Sequence, residues 1–240
     1  AESSGGNYTF DSNLGWAKGS GNNSSIQSWM WKRGAGFDVV TGLEENNSHN
    51  LGKPIEMIWV KRRDNTSDWF CWHKGLNGGG SNAVNYHVRL NTDVAESSIS
   101  SLCPIGDTLP TATHFKTGSD SDIRNAGSIA LLFASVSGIS RVGYYTGNGQ
   151  TLSNGTYLTT GFQPRYVILK RTDGSGNWFV MDSLRGFGTP GSNTTNIYLN
   201  DGNTSNGSTF VEVDSTGFRV VDDSPQVNGS GNKYIYYAHA

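Results

Sequence analysis

Apolar and polar residues alternate along this chain in short runs, not at helical spacing. Glu56-Met57-Ile58-Trp59-Val60 and Arg165-Tyr166-Val167-Ile168-Leu169 are the clearest, each with Pro or Gly on one side and an Asp, Asn or Gly turn on the other. Runs of that length and make-up predict strands. A Lys-Arg strand is followed by a Trp-Phe strand in two places, across Asp64 to Asp68 and across Asp173 to Asn177, and each pair predicts a hairpin. No stretch keeps a helical apolar period beyond about two turns. Short strands separated by Gly, Asn and Ser turns predict an all-β chain, a sandwich or a barrel.

The runs also recur. Lys61-Arg62-Arg63-Asp64 through Trp69-Phe70 matches Lys170-Arg171-Thr172-Asp173 through Trp178-Phe179, and Leu90-Asn91 matches Leu199-Asn200 at the same offset. Asp38-Val39-Val40-Thr41-Gly42 resembles Gly143-Tyr144-Tyr145-Thr146-Gly147, and His114-Phe115-Lys116 lines up with Gly217-Phe218-Arg219, both at slightly shorter offsets. Loops tolerate such small changes in length. Asn125-Ala126-Gly127-Ser128 leads into an apolar run to Ala134, Asn228-Gly229-Ser230-Gly231 into one to Ala238, and Asn23-Ser24-Ser25 into Ile26-Gln27-Ser28-Trp29-Met30-Trp31. The expected organisation is 1–34 as the last strands of an incomplete preceding repeat, 35–138 as one β-sandwich repeat and 139–240 as a second, each of about 100 residues. That partial repeat, with Ala1 in place of an initiating Met, leads us to expect a processed chain or the C-terminal part of a longer one. Residues matched between repeats read as scaffold. Trp69 and Trp178 are expected to anchor the core, with Cys71 and Val180 on the same strand face and Phe70/Phe179 and Trp72/Met181 on the opposite one.

Composition narrows the class further. Gly makes up 32 of the 240 residues, charged residues only 16%, and aromatics 11% with 7 Trp. A disordered chain carries more charge and fewer aromatics. No apolar run approaches the roughly 18 residues of a membrane helix. The formal net charge of −2 speaks against a general nucleic-acid binder. The one cationic cluster, Lys61-Arg62-Arg63, is followed by Asp64 and reads as a solvated strand end. Cys71 and Cys103 are too few for a disulfide framework and match no metal-ligand spacing, and whether they pair is left open.

Several ordered blocks carry a resemblance. His49-Asn50-Leu51-Gly52-Lys53-Pro54 followed by Glu56-Met57-Ile58 and Lys61-Arg62-Arg63 resembles a family of uncharacterised proteins encoded by tailed phages of marine bacteria. Gly36-Phe37-Asp38-Val39-Val40, His73-Lys74-Gly75-Leu76 and Leu184-Arg185-Gly186 add to it, so that it covers nearly the whole chain. The chain departs from the family pattern in long polar insertions at 92–111 and 201–209. The resemblance implies a virion- or tail-associated β-sandwich module, concanavalin- or jelly-roll-like, in an extracellular particle assembled in the host cytoplasm. It supplies no catalytic residues.

Catalytic chemistry is hard to find by residue type. Glu212-Val213-Asp214 puts two carboxylates on one strand face, a spacing permissive for a retaining glycosidase pair. No third acid follows, and the aligned positions in the first repeat are Leu109 and Thr111, so a solvated strand face is expected. The five histidines are spaced unlike zinc ligands. Gly174-Ser175-Gly176 sits at a hairpin tip, the wrong setting for a nucleophile elbow, and Gly78-Gly79-Gly80 lacks the Lys-Ser/Thr of a phosphate loop. Gly118-Ser119-Asp120-Ser121-Asp122 and Asp64-Asn65-Thr66-Ser67-Asp68 cluster oxygen ligands of the kind calcium takes, but the same residues build ordinary turns. No cofactor or metal is expected.

The reading favoured on these grounds is a non-enzymatic tail-fibre or adhesin module recognising a bacterial surface glycan or protein. Its alternative is a purely structural virion component, with a glycan depolymerase behind both. Aromatics unmatched between repeats are the recognition candidates, since flat rings stack on sugars at little ordering cost: Trp16, Tyr86, Tyr157 and Tyr198. Trp29, Trp31 and Trp59 are expected at a subunit interface of a homo-oligomer, a trimer by preference, alongside other virion proteins. The Asn-rich loops at 19–25, 77–85 and 191–207 are the expected ligand face.

Overall fold

The structure is a computed structural model describing residues 30–187, 196–202, 204–205 and 209–240. In the first half the strands are β1 (Phe37–Thr41), β2 (Asn46–Ser48), β3 (Met57–Arg62), β4 (Phe70–His73), β5 (Tyr86–Arg89), β6 (Ser97–Ser98), β7 (His114–Lys116) and β8 (Ser128–Phe133). The second half contains β9 (Ser140–Thr146), β10 (Tyr157–Thr159), β11 (Tyr166–Arg171), β12 (Trp178–Asp182), β13 (Asn196–Tyr198), β14 (Thr204–Ser205), β15 (Val211–Asp214), β16 (Gly217–Val220) and β17 (Lys233–His239). Helical structure among the described residues is confined to single 3₁₀ turns. The chain is all-β.

The duplication in sequence is a duplication in topology. One six-stranded antiparallel sheet has the order β1-β8-β3-β4-β5-β6, and the other, read in the same sense, β9-β17-β11-β12-β13-β14. Each half adds a small sheet, β2-β7 in the first and β10-β16-β15 in the second. Strand alternation then assigns the faces. In the first sheet Phe37, Val39, Trp59, Cys71, His73, Val88, Leu131 and Phe133 share a face by register, and their equivalents in the second include Tyr144, Ile168, Val180 and Tyr237. These two equivalent faces meet and form one apolar core across the halves, in which Phe133 touches the Tyr237 ring at 5.3 Å. The opposite faces are roofed by the small sheets: Phe115 is buried in one cluster with Ile58 and Trp72, while Phe218, 5.2 Å edge-on from the Tyr236 ring, and Val220 are buried in a second cluster with Leu169 and Phe179.

The halves are also stitched by hydrogen bonds. The Trp178 indole donates to the Arg89 carbonyl at 2.8 Å, and the 92–111 insertion crosses over, with Asp93 O accepting from Gly176 N and Glu96 N donating to Thr172 O. Matched residues do matched work. The Asn91 side chain accepts from Trp69 N and donates to Asp68; Asn200 accepts from Trp178 N and donates to Asn177. Trp178 is the expected anchor at 1% exposure, whereas Trp69 is only half-buried.

The Lys-Arg clusters depart from expectation. Arg62 and Arg171 do pair with the turn acids Asp64 and Asp173. Lys61, however, is 8% exposed and Lys170 fully buried, and their ammonium groups turn inward to donate to carbonyls: Asn65 O and Ser67 O of its own hairpin for Lys61, Gly176 O of its own hairpin and Asp93 O of the crossing insertion for Lys170. Alternation places the lysine on the apolar face, and the turn supplies the acceptors that make its burial tolerable. Burial lowers the Lys170 ammonium to about 8. Met30 to Lys32, expected in a strand, have no regular structure. Both cysteines are buried and free.

Candidate functional site

The loop after β4 builds the most distinctive surface. His73 ends the strand, Leu76 is buried as an anchor, and Gly78, Gly79 and Gly80 all have positive φ, which explains the glycine run by backbone geometry. Asn77, also left-handed, is held by the Glu96 carboxylate, which accepts its backbone N–H at 2.7 Å. Across this loop lies the Tyr144 side chain from edge strand β9. A Cβ on Gly75 would stand 2.4 Å from the Tyr144 Cβ, and one on Gly79 2.6 Å from its hydroxyl, so the ring is seated on bare backbone from Gly75 to Gly79. Even so, Tyr144 remains 47% exposed.

Beside that ring runs a groove of about 350 Å³, bordered by Pro54, Glu56, Lys74, Gly80, Leu109 and Pro110. Burial alone would raise the Glu56 carboxyl, but hydrogen bonds from Lys74 and from Ser135 outweigh it and hold the carboxyl below its usual range. Lys74 spends one donor on Glu56 at 2.5 Å. An ammonium has three, so the groove offers an aromatic ring, spare donors and an apolar rim. These are the ingredients of small-ligand recognition.

A second cleft, of about 370 Å³, opens where the two main sheets meet at their other margin. Trp31, Trp59, Trp69, Leu131, Tyr166 and Leu199 line it. Trp31 wedges between rings, with centroids 5.6 Å from Phe133, 5.9 Å from Phe37, 6.0 Å from Trp59 and 6.2 Å from Tyr166. The Cys71 thiol sits beneath, its ionisation suppressed by burial.

A family model described as a domain of unknown function, DUF7483, matches residues 4–240. The chain belongs to that family. No curated protein and no solved structure matches it.

In this DUF7483 chain the residues singled out from sequence do not converge. Trp16 and Trp29 lie outside the described residues, as do loop 19–25 and most of 191–207. Tyr157 donates to the Asp214 carboxylate at 2.8 Å, stands 2.8 Å from the Thr216 hydroxyl, and carries the Arg219 guanidinium 5.1 Å above its ring. Tyr198 packs edge-on against Phe179, and Tyr86 is half-buried against the core. Trp59 is 7% exposed within its own chain, and Trp31 packs against rings of the same chain while both line the second cleft.

The acidic candidates are absorbed into local structure. Asp214 caps its own turn: the Thr216 N–H, the Tyr157 hydroxyl and further donors lower its carboxyl. Glu212 stands opposite Arg219 in the β15–β16 register. The two Asp-rich turns meet, but through Arg62, which lies 3.9 Å from Asp122 and pairs with Asp64, and through Asn65 donating to Asp122. Among the described residues no three His, Cys, Asp or Glu side chains gather as metal ligands.

Tyr144 was missed because it fell inside a block read as repeated. Its partner position holds Val39, so it is an unmatched aromatic by the same rule that selected Tyr157. Of loop 77–85, singled out for its asparagines, Gly80 borders the groove.

Proposed function

We propose that this DUF7483 chain is a non-catalytic recognition module of a tailed-phage virion, a tail-fibre or adhesin part that holds a bacterial surface glycan or protein. The phage setting rests on the resemblance of the 36–63 and 73–76 blocks. The recognition role rests on one observation: a half-exposed Tyr144 ring seated on a glycine backbone beside the Glu56–Lys74 pair. A solvent-facing aromatic carries no folding benefit for its exposed half, and rigid scaffolds with built loops are where binding residues collect. The test is saturable binding of the fluorescently labelled chain to a bacterial glycan array and to whole marine bacterial cells. Absence of binding by correctly assembled protein overturns the reading.

A second reading, a structural virion part in a homo-oligomer, is favoured by the Trp31–Trp59–Trp69 cleft. Its apolar walls suit a side chain from a neighbouring subunit or another virion protein. Trp31→Ala lowers the assembled mass in solution on this reading and leaves it unchanged on the first.

A further inference from the structure

We infer that the Tyr144 groove is a subsite for an uncharged pyranose ring carrying an apolar substituent, such as a 6-deoxy methyl or an acetamido methyl. This deepens the recognition reading and rests on it. Three features of the groove select that ligand class.

The first is the ring. Tyr144 has one side fixed by Gly75 and Gly79 and is 47% exposed, so it presents a flat apolar surface that loses little freedom on binding. The axial C–H face of a pyranose is the complementary shape. The aromatic is also pre-placed, because any Cβ at Gly75 or Gly79 would collide with it.

The second is charge. Glu56 and Lys74 form an ion pair in the groove wall, and their charges cancel. Lys74 has donors to spare, whereas both Glu56 oxygens are already engaged, by Lys74 and by Ser135 N–H. The groove therefore donates to ligand hydroxyl or carbonyl oxygens without attracting a net charge. A uronic acid or a phosphorylated sugar finds a cation whose field Glu56 has neutralised, which points to neutral residues.

The third is the rim. Leu109 is 41% exposed and stands with Pro110 and Pro54 on the groove border. Exposed apolar side chains at a polar groove suit a methyl group on the bound ring.

The experiment measures binding of the full chain and three variants to an array of bacterial O-chain and capsule fragments that includes neutral, deoxy, N-acetylated and uronate sugars. Wild type is expected to select neutral deoxy or N-acetyl residues, with little change between about 50 and 500 mM salt, a tenfold range spanning physiological screening. Tyr144→Ala is expected to lose tenfold or more and Tyr144→Phe to stay within about threefold, both at unchanged melting temperature, and Lys74→Met to lose about tenfold when assayed well below its own melting temperature, which the loss of the Glu56 partner lowers. Glycan binding that survives Tyr144→Ala overturns the subsite while leaving the recognition reading intact. Selection of uronates with steep salt dependence overturns the ligand class. No glycan binding at all, with cell binding retained or lost, overturns the subsite, and only loss of both removes the recognition reading.

Discussion

His73 donates from Nε2 to the Tyr236 carbonyl at 3.2 Å while its Nδ1 accepts the Gly75 N–H at 3.0 Å. One neutral imidazole thus ties β4 of the first half to β17 of the second, and fixes the start of the glycine bed under Tyr144. Protonation would turn Nδ1 into a donor facing a donor.

That arrangement predicts sensitivity to acid. Burial lowers His73 to about 3 and His87, whose ring nitrogens make no hydrogen bond among the described residues, to about 4. The unfolded chain takes up these protons near pH 6.5, the folded chain only near 3 to 4. Stability from these histidines is full above pH 6.5 and is lost as pH falls toward 4. Melting temperatures across that range should fall in the wild type and fall less in His87→Phe; parallel curves refute the assignment.

The buried lysine predicts the opposite margin of the pH range. Lys170 titrates at about 8 in the folded chain and about 10.4 when unfolded, so stability should rise between those values as the folded ammonium sheds its proton first. Lys170→Met should abolish that rise. It also takes the ammonium donor from the Gly176 carbonyl, at a cost of about 1–3 kcal/mol if that oxygen finds no water, while the Asp93 carbonyl keeps the Gly176 N–H. Denaturant melts at pH 7 and pH 10 separate the two effects.

Gly75 tests the platform by stability alone. Alanine there places a methyl group 2.4 Å from the Tyr144 Cβ, so strand β9 or the loop must shift. Gly75→Ala should cost about 1–3 kcal/mol, and in a Tyr144→Gly background, which lacks that Cβ, the same substitution should cost far less. An unchanged cost means that the strain lies elsewhere.

The shared core predicts one cooperative unit. Trp59 and Phe133 pack with Tyr166 and Tyr237 of the other half, and Trp178 reaches back to Arg89. A chain ending at residue 138 should therefore fail to fold, and Trp178→Ala should lose about 3–5 kcal/mol in a single transition. Two resolved transitions in the intact chain would contradict this.

The strands were legible because their signals are local. Val-Ile-Leu runs between turn residues, and the recurrence of Lys-Arg-x-Asp before Trp-Phe, depend only on neighbours in sequence, and they located β3, β4, β11 and β12 to within a residue or two. The recurrence of Leu-Asn proved to mark a clamp on the start of the preceding strand, β4 or β12. What stayed hidden depends on the stacking of the halves. Lys61 looked solvated because the carbonyls that receive it belong to a turn whose direction sequence does not give. Trp59 looked free for a partner because the ring that covers it, Trp31, is distant in the chain. Tyr144 looked like scaffold because its exposure is set by the loop from the other half.

The way the two halves meet has a bearing on how such chains can lengthen. Each presents the same face to the other, as the subunits of an isologous dimer do, and a covalent link replaces the second subunit's concentration with a local one. Once joined, the apolar faces bury each other except at the Trp31–Trp59–Trp69 cleft and at Tyr144, and the outward faces are already roofed by the small sheets. Unlike a solenoid, which can accept another unit at either end, this plan is saturated at two. Repeats on this plan are best added in pairs, and an unpaired one would carry a bare apolar sheet.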